Sequence, residues 1–225
     1  WRPDWPAFFE VVRLGLPISA TIIAEVGLFA TSSIMMGWLG TVPLAAHGIA
    51  LQIASISFMI PLGLANAASV RVGIAHGRKD GVALARAGDT AILIGGAIAL
   101  CAATLFWLWP EGLVGFYLDA GNANSAEVLA TAVPLLFVAA VFQIADSLQA
   151  VGAGVLRGMK DTRVPMIIAL VSYWLVGMPI AYALAFPLGL GGPGIWWGLA
   201  SGLAAAAVMM NWRYVRRERY GLVGS

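Results

Sequence analysis

The chain alternates between long apolar runs and short breaks. Runs at about 11–38, 44–70, 90–109, 127–156, 164–187 and 195–212 approach or exceed the ~20 residues that carry a helix across the hydrocarbon core. The pattern predicts six helical spans, A to F. Pro17 lies near the start of span A, Pro61 inside span B and Pro134 inside span D. Each removes an intrahelical hydrogen bond, so kinks are expected there, and kinks of this kind serve as hinges in alternating access. Residues 1–10, with Trp5, Phe8 and Phe9, suit an interfacial segment along the headgroups. Arg78-Lys79-Asp80, followed by Val82, Leu84 and Ala85, predicts a short amphipathic helix at the surface before span C. The pieces 37–43 and 189–194 are uncharged turns.

Charge placement sharpens the count. All 13 Lys and Arg fall in four places. Arg2 and Arg13 flank the start of span A; Arg71, Arg78, Lys79 and Arg86 separate B from C. Arg157, Lys160 and Arg163 separate D from E, and Arg213, Arg216, Arg217 and Arg219 form the tail. The A–B, C–D and E–F links hold none. Six spans with both termini in the cytoplasm require this alternation, and merging or splitting a span would break it. Trp38, Trp107, Trp109, Trp196 and Trp197 then form an outer aromatic belt, and Trp1, Trp5 and Trp212 an inner one. His47 falls near the outer end of span B and reads as an interfacial residue.

Composition agrees. Hydrophobic residues are 60% of 225 and charged ones 11%, against roughly a quarter charged in a soluble domain. The expected fold is an all-α integral membrane bundle of six helices in which residues 1–225 form one unit. The 27 Gly suit close helix packing. Cys101 is the sole cysteine, so no internal disulfide or Cys-based metal site is available. No phosphate loop, nucleophile triad, metal-ligand spacing or redox pair is present, so an enzyme is not expected, nor are a cofactor or a nucleic-acid partner. The chain begins at Trp1 without Met or a cleavable signal pattern. It is therefore expected to be part of a longer protein in a cell inner membrane.

Two acids break the apolar pattern. Glu25 lies inside the run 14–36 and Asp146 inside 126–156. A carboxylate at the bilayer centre costs roughly 2.5 kcal/mol or more, and it survives there by facing a polar cavity, holding a proton or meeting a cation. Glu25 is roughly 18 Å above Arg13 and Asp146 roughly 16 Å above Arg157 at the helical rise, so both sit near the midplane. Two adjacent carboxylates resist double ionisation, and a proton or cation relieves the repulsion. That is the chemistry of an ion-coupled site, with H⁺ or Na⁺ as the coupling ion. Gln143, Asp146 and Gln149 recur every three residues beside Phe142, forming one polar stripe that suits either a ligand path or interhelical hydrogen bonding. Gln52 and Asn66 on span B are weaker candidates for lining such a path. Apart from Na⁺ at Glu25 and Asp146, no metal is expected.

Three stretches carry a resemblance: LGLPISATIIAEVGLFATSSIMMGWLGTVPLAAHGIALQIAS, FMIPLGLANAASVRVGIAHGRKD and FQIADSLQAVGAGVLRGMKDTRVP. They resemble the C-terminal half of multidrug and toxic compound extrusion (MATE) transporters of the NorM type. The resemblance implies helices seven to twelve of a two-lobed transporter that exports cationic amphiphilic drugs in exchange for H⁺ or Na⁺. It implies as partners an N-terminal six-helix lobe or a second copy, membrane lipid and cationic small molecules. It also implies that Glu25 and Asp146 are the cation-binding acids of the seventh and tenth helices. The family pattern can place a tyrosine one turn before the tenth-helix acid. Phe142 stands there, which removes a hydroxyl ligand and shifts weight from Na⁺ to H⁺. Two other readings compete. One is a lipid-linked precursor flippase, disfavoured because no Lys or Arg enters a span. The other is a structural subunit in which the two acids lock helices together.

Overall fold

A computed structural model describes residues 4–118 and 124–222. Trp1, Arg2 and Asp119 lie outside them. The described residues are helical throughout and contain no strand. Six helices are long and apolar enough to cross a membrane: α1 (Trp5–Leu39), α2 (Thr41–Gly77), α3 (Gly81–Leu108), α5 (Ser125–Gly158), a composite span, and α8 (Gly191–Val215). The composite span is α6 (Arg163–Leu170), a π-helical stretch Val171–Gly177 and α7 (Met178–Ala185), while a six-residue α4 (Pro110–Gly115) follows α3.

Three connections differ from expectation. Residues 5–10 are not a separate interfacial piece but continue into α1. The predicted turn at 37–43 contracts to Gly40, whose φ of 129° is open to glycine and strained for other residues. The short surface helix after Asp80 does not exist as a unit. Asp80 caps α3, its carboxylate accepting from the Ala83 N–H at 2.9 Å, and the helix then runs straight into the membrane. Each proline-bearing helix is continuous through Pro17, Pro61 or Pro134. The irregular winding falls instead on the composite span, where the Met178 N–H donates to the Tyr173 carbonyl in the π register.

Helix α5 is the axis of the bundle and packs against α2, α3 and α8. Helices in lipid gain little from hydrophobic exclusion and associate through close contact, which small residues permit. Two glycine seams provide it. A Cβ on Gly154 would stand 2.4 Å from the Ala65 carbonyl oxygen, and one on Gly158 would stand 2.6 Å from that of Ser69. On α8, a Cβ on Gly198 would meet Ala181 at 2.3 Å and one on Gly202 would meet Gly177 at 2.9 Å, holding α8 against the composite span. Helix α1 is marginal. It rests chiefly on α6 and α2 and exposes Ile22, Ile23 and Val26.

The basic segments converge at one end of the bundle, as the charge alternation requires. Arg213 pairs with Asp161, Lys160 pairs with Glu10, and the Tyr214 hydroxyl donates to Asp89 at 2.8 Å. Two expected interfacial residues are instead interior. Trp196 is fully buried and His47 is 1% exposed, their rings 5.7 Å apart. The Ser32 and Ser33 hydroxyls both donate to the Phe29 carbonyl, at 2.8 and 3.0 Å. Their oxygens therefore accept from His47 Nε2–H, at 3.4 and 3.2 Å.

Candidate functional site

A cavity of about 480 Å³ opens between α1, α2 and α5. Glu25, half-buried on the inner face of α1, lines it with Thr21 and Phe29. Asn66 on α2 and Gln149 on α5 line it opposite. The Thr21 hydroxyl donates to the Pro17 carbonyl one turn below at 2.9 Å. At the cytoplasmic end the lining includes Arg157, Asp161 and Thr162. A cation thus reaches this cavity, contrary to the expectation that no Lys or Arg enters a span. Helix α5 continues through Gly158, so Arg157 belongs to its last turn.

Asp146 lies one turn outward from Gln149. It is 3% exposed, its Oδ1 has no hydrogen-bond partner, and it is within electrostatic reach of Glu25. The two acids, 121 positions apart in the chain, thus lie within electrostatic reach of each other in the bundle. Tyr173 completes the group. It stands in the π-helical stretch, fully buried, and its hydroxyl lacks a partner while lying within electrostatic reach of both acids. Next to it, Trp174 packs on Gly27, where a Cβ would be 3.1 Å from the ring. That contact sets the π stretch beside α1 two residues from Glu25.

Not every candidate is gathered in. Gln143 is buried with neither amide atom partnered, but it does not line the cavity. Gln149 does line it, and its amide nitrogen lies 3.9 Å from Met210 Sδ. Phe142 is interior, packed edge-on between Phe29 at 6.0 Å and Trp196 at 5.3 Å. It forms part of an aromatic layer on the outer side of the acids and does not line the cavity. Gln52 is exposed on α2 and away from the lining, so its role as a lining residue is not supported. Tyr173 was missed because a lone tyrosine in an apolar run carries no signal of its direction. The one available hint is Ser172-Tyr173, two polar groups adjacent at mid-span.

Chemically, two carboxylates, one of them with an unpartnered oxygen, and a phenol in a low-dielectric interior form a site that strongly disfavours two free negative charges. Hard oxygen donors suit a proton or an alkali cation. Unsatisfied buried polar groups in a native core signal an ion, a water or a moving part.

Fold and site together define a polytopic membrane bundle with one acid on the wall of a cavity and a second buried within its electrostatic reach. The MatE family model matches residues 17–183. The chain is 56% identical, over 97% of its length, to a protein of Rhizobium meliloti (strain 1021) named "Probable multidrug resistance protein NorM", of which it covers 47%. A protein of the same name from Agrobacterium fabrum (strain C58) is 56% identical over 96% of the chain and 46% of that protein. Among solved structures, a MATE protein in complex with MaL6 superposes with a TM-score of 0.87 at 20% identity, over 98% of this chain and 49% of that one. An outward-facing multidrug resistance MATE family transporter gives 0.84 at 21%, over 98% and 49%. These structural likenesses show the fold. The chain belongs to the MatE family and spans about half the length of the curated relatives it matches. Its six apolar helices and this membership make it a multi-pass protein of the bacterial inner membrane.

Proposed function

We propose that the chain is the ion-coupled lobe of an antiporter that exports cationic, amphiphilic compounds, with H⁺ or Na⁺ binding at Glu25 and Asp146. The observation that carries this is the closeness of those two acids, Glu25 on the wall of the cavity and Asp146 buried in α5 within its electrostatic reach. The names of the curated relatives support the export role. A second six-helix lobe supplies the other wall of the substrate path, in keeping with the half-length match. An ion arriving from outside neutralises the acids and favours the packing that releases substrate outward. Its departure restores the repulsion and resets the lobe. Tyr173 offers the hydroxyl that Phe142 lacks: it donates to a carboxylate when the site holds a proton and lends an oxygen when it holds Na⁺.

The test is efflux of a cationic dye from vesicles holding the full-length protein, driven in turn by a pH gradient and a Na⁺ gradient. Glu25→Gln with Asp146→Asn is expected to abolish ion-driven transport while the protein still folds. Unchanged coupling in that variant overturns the proposal. The gradient that drives the wild type identifies the ion.

A further inference from the structure

A second recess adjoins the cytoplasmic end of the acid cavity, sharing Asp161 and Thr162 with it, at the foot of α1 and α6. A polar hollow of about 540 Å³ is lined by Phe9, Glu10, Arg13, Lys160, Thr162 and Arg163, among others. An apolar groove of about 650 Å³ adjoins it and shares Phe9, Arg13 and Arg163. This groove runs outward along Val12, Leu16 and Ala20 of α1, facing Met166 and Ile167 of α6. From Arg13 to Ala20 the helical rise covers roughly 10 Å, the upper part of an acyl chain.

The charge at the mouth is not balanced within the protein. Glu10 is taken by Lys160 and Asp161 by Arg213. Arg13 and Arg163 are exposed and have no hydrogen-bond or ion-pair partner among the described residues. The N-terminus of α6 opens at the same spot. Its cap residue Thr162 makes no side-chain cap bond, which leaves backbone N–H groups and the positive end of the helix directed at the hollow. The positive-inside pattern sets this mouth at the level of the cytoplasmic headgroups.

We infer that this recess is a binding site for an anionic phospholipid of the cytoplasmic leaflet, its phosphate held between Arg13 and Arg163 and one acyl chain laid in the α1–α6 groove. Two arginines and a helix N-terminus recognise the phosphate, and a greasy channel leading from them into the hydrocarbon selects a lipid over a free anion. Arg13 and Arg163 do not line the cavity that holds Glu25, so the inference stands or falls apart from the transport proposal. A lipid seated there braces α1 against α6.

The experiment is native mass spectrometry of the full-length protein titrated with phosphatidylglycerol, phosphatidylcholine or inorganic phosphate. Phosphatidylglycerol is expected to bind in preference to phosphatidylcholine. Arg13→Gln with Arg163→Gln is expected to weaken phosphatidylglycerol roughly thirtyfold, from two lost charges, and to weaken the net-neutral phosphatidylcholine much less, so that the preference between the two lipids collapses. Arg216→Gln with Arg219→Gln, in the basic tail, is the matched control and should change neither. Ala20→Phe fills the groove without touching the charges and should weaken both lipids. Wild-type affinity in the Arg13/Arg163 variant overturns the site. Full competition by inorganic phosphate, or an Ala20→Phe variant that binds phosphatidylglycerol normally, overturns the lipid.

Discussion

The two acids stand on helices of opposite character. In its most apolar window, 56% of α5 is buried, against 17% of α1. Asp146 is therefore fixed in the part of the bundle where glycines let backbones touch. Glu25 hangs from a helix that rests on its neighbours and leaves most of its surface uncovered by the rest of the lobe. A site shared between a rigid wall and a loosely held one is suited to converting ion occupancy into movement. The charge state of the pair changes the force between the helices, and α1 is the one less tied down. Pro17 and the Thr21 hydroxyl bond to its carbonyl put a softened turn on α1 just below Glu25.

The largest expected effect lies in the rigid half. Gly154→Leu drives a side chain into the Ala65 carbonyl, already 2.4 Å from where a Cβ would lie. It is expected to cost about 3 kcal/mol or more and to lower the thermal unfolding midpoint of the detergent-solubilised protein sharply. Ile23→Ala on α1, at a side chain that is 71% exposed, is expected to leave that midpoint nearly unchanged. Equal sensitivity at the two positions would erase the contrast between the helices.

A second test lengthens or shortens each acid. Asp146→Glu adds a methylene inside a packed interior and is expected to cost about 1–3 kcal/mol and to lose ion-driven transport. Glu25→Asp removes a methylene beside a cavity that water can fill. It is expected to change stability by no more than about 0.5 kcal/mol and to keep part of the transport. The reverse order, with Asp146→Glu the milder change in unfolding and vesicle efflux, would place the rigid wall on the other side.

Much of this was legible in the sequence, for identifiable reasons. The six spans follow from Lys and Arg falling at alternate breaks, a signal that hydropathy alone lacks. Glu25 and Asp146 stand out because lipid makes isolated carboxylates costly. What periodicity cannot carry is rotation and depth near the helix ends. Trp196 and His47 sit close to turns and read as interfacial, yet the single-residue turn at Gly40 and the early start of α8 at Gly191 draw both into the bundle. The surface helix expected after Asp80 fused with α3 because a capping carboxylate begins a helix without specifying its length. Tyr173 is hidden for a further reason. A π-helical stretch has more residues per turn than an α-helix, so the face on which its side chains emerge does not follow the 3.6-residue count used to read the rest.

A third test, which leaves stability alone, separates two ways of supplying a hydroxyl to the acids. Tyr173→Phe keeps the ring and removes only the unpartnered oxygen. One hydrogen bond to a charged group is worth about 1.5–3 kcal/mol, so the variant should weaken the driving ion about tenfold or more, read as the ion concentration giving half-maximal dye efflux. Folding should be untouched, since no hydrogen bond of the resting protein is broken. Phe142→Tyr, made in that background, places a hydroxyl one turn outward from Asp146, on the rigid helix instead of the composite span. Recovery of ion affinity in the double variant would mean that the acids need a hydroxyl and are indifferent to its source. If affinity falls in the single variant and stays low in the double, the direction from which the π-wound span delivers its oxygen is itself part of the site. If Tyr173→Phe changes nothing, the phenol is a packing group, and the coupling ion is held by the carboxylates alone.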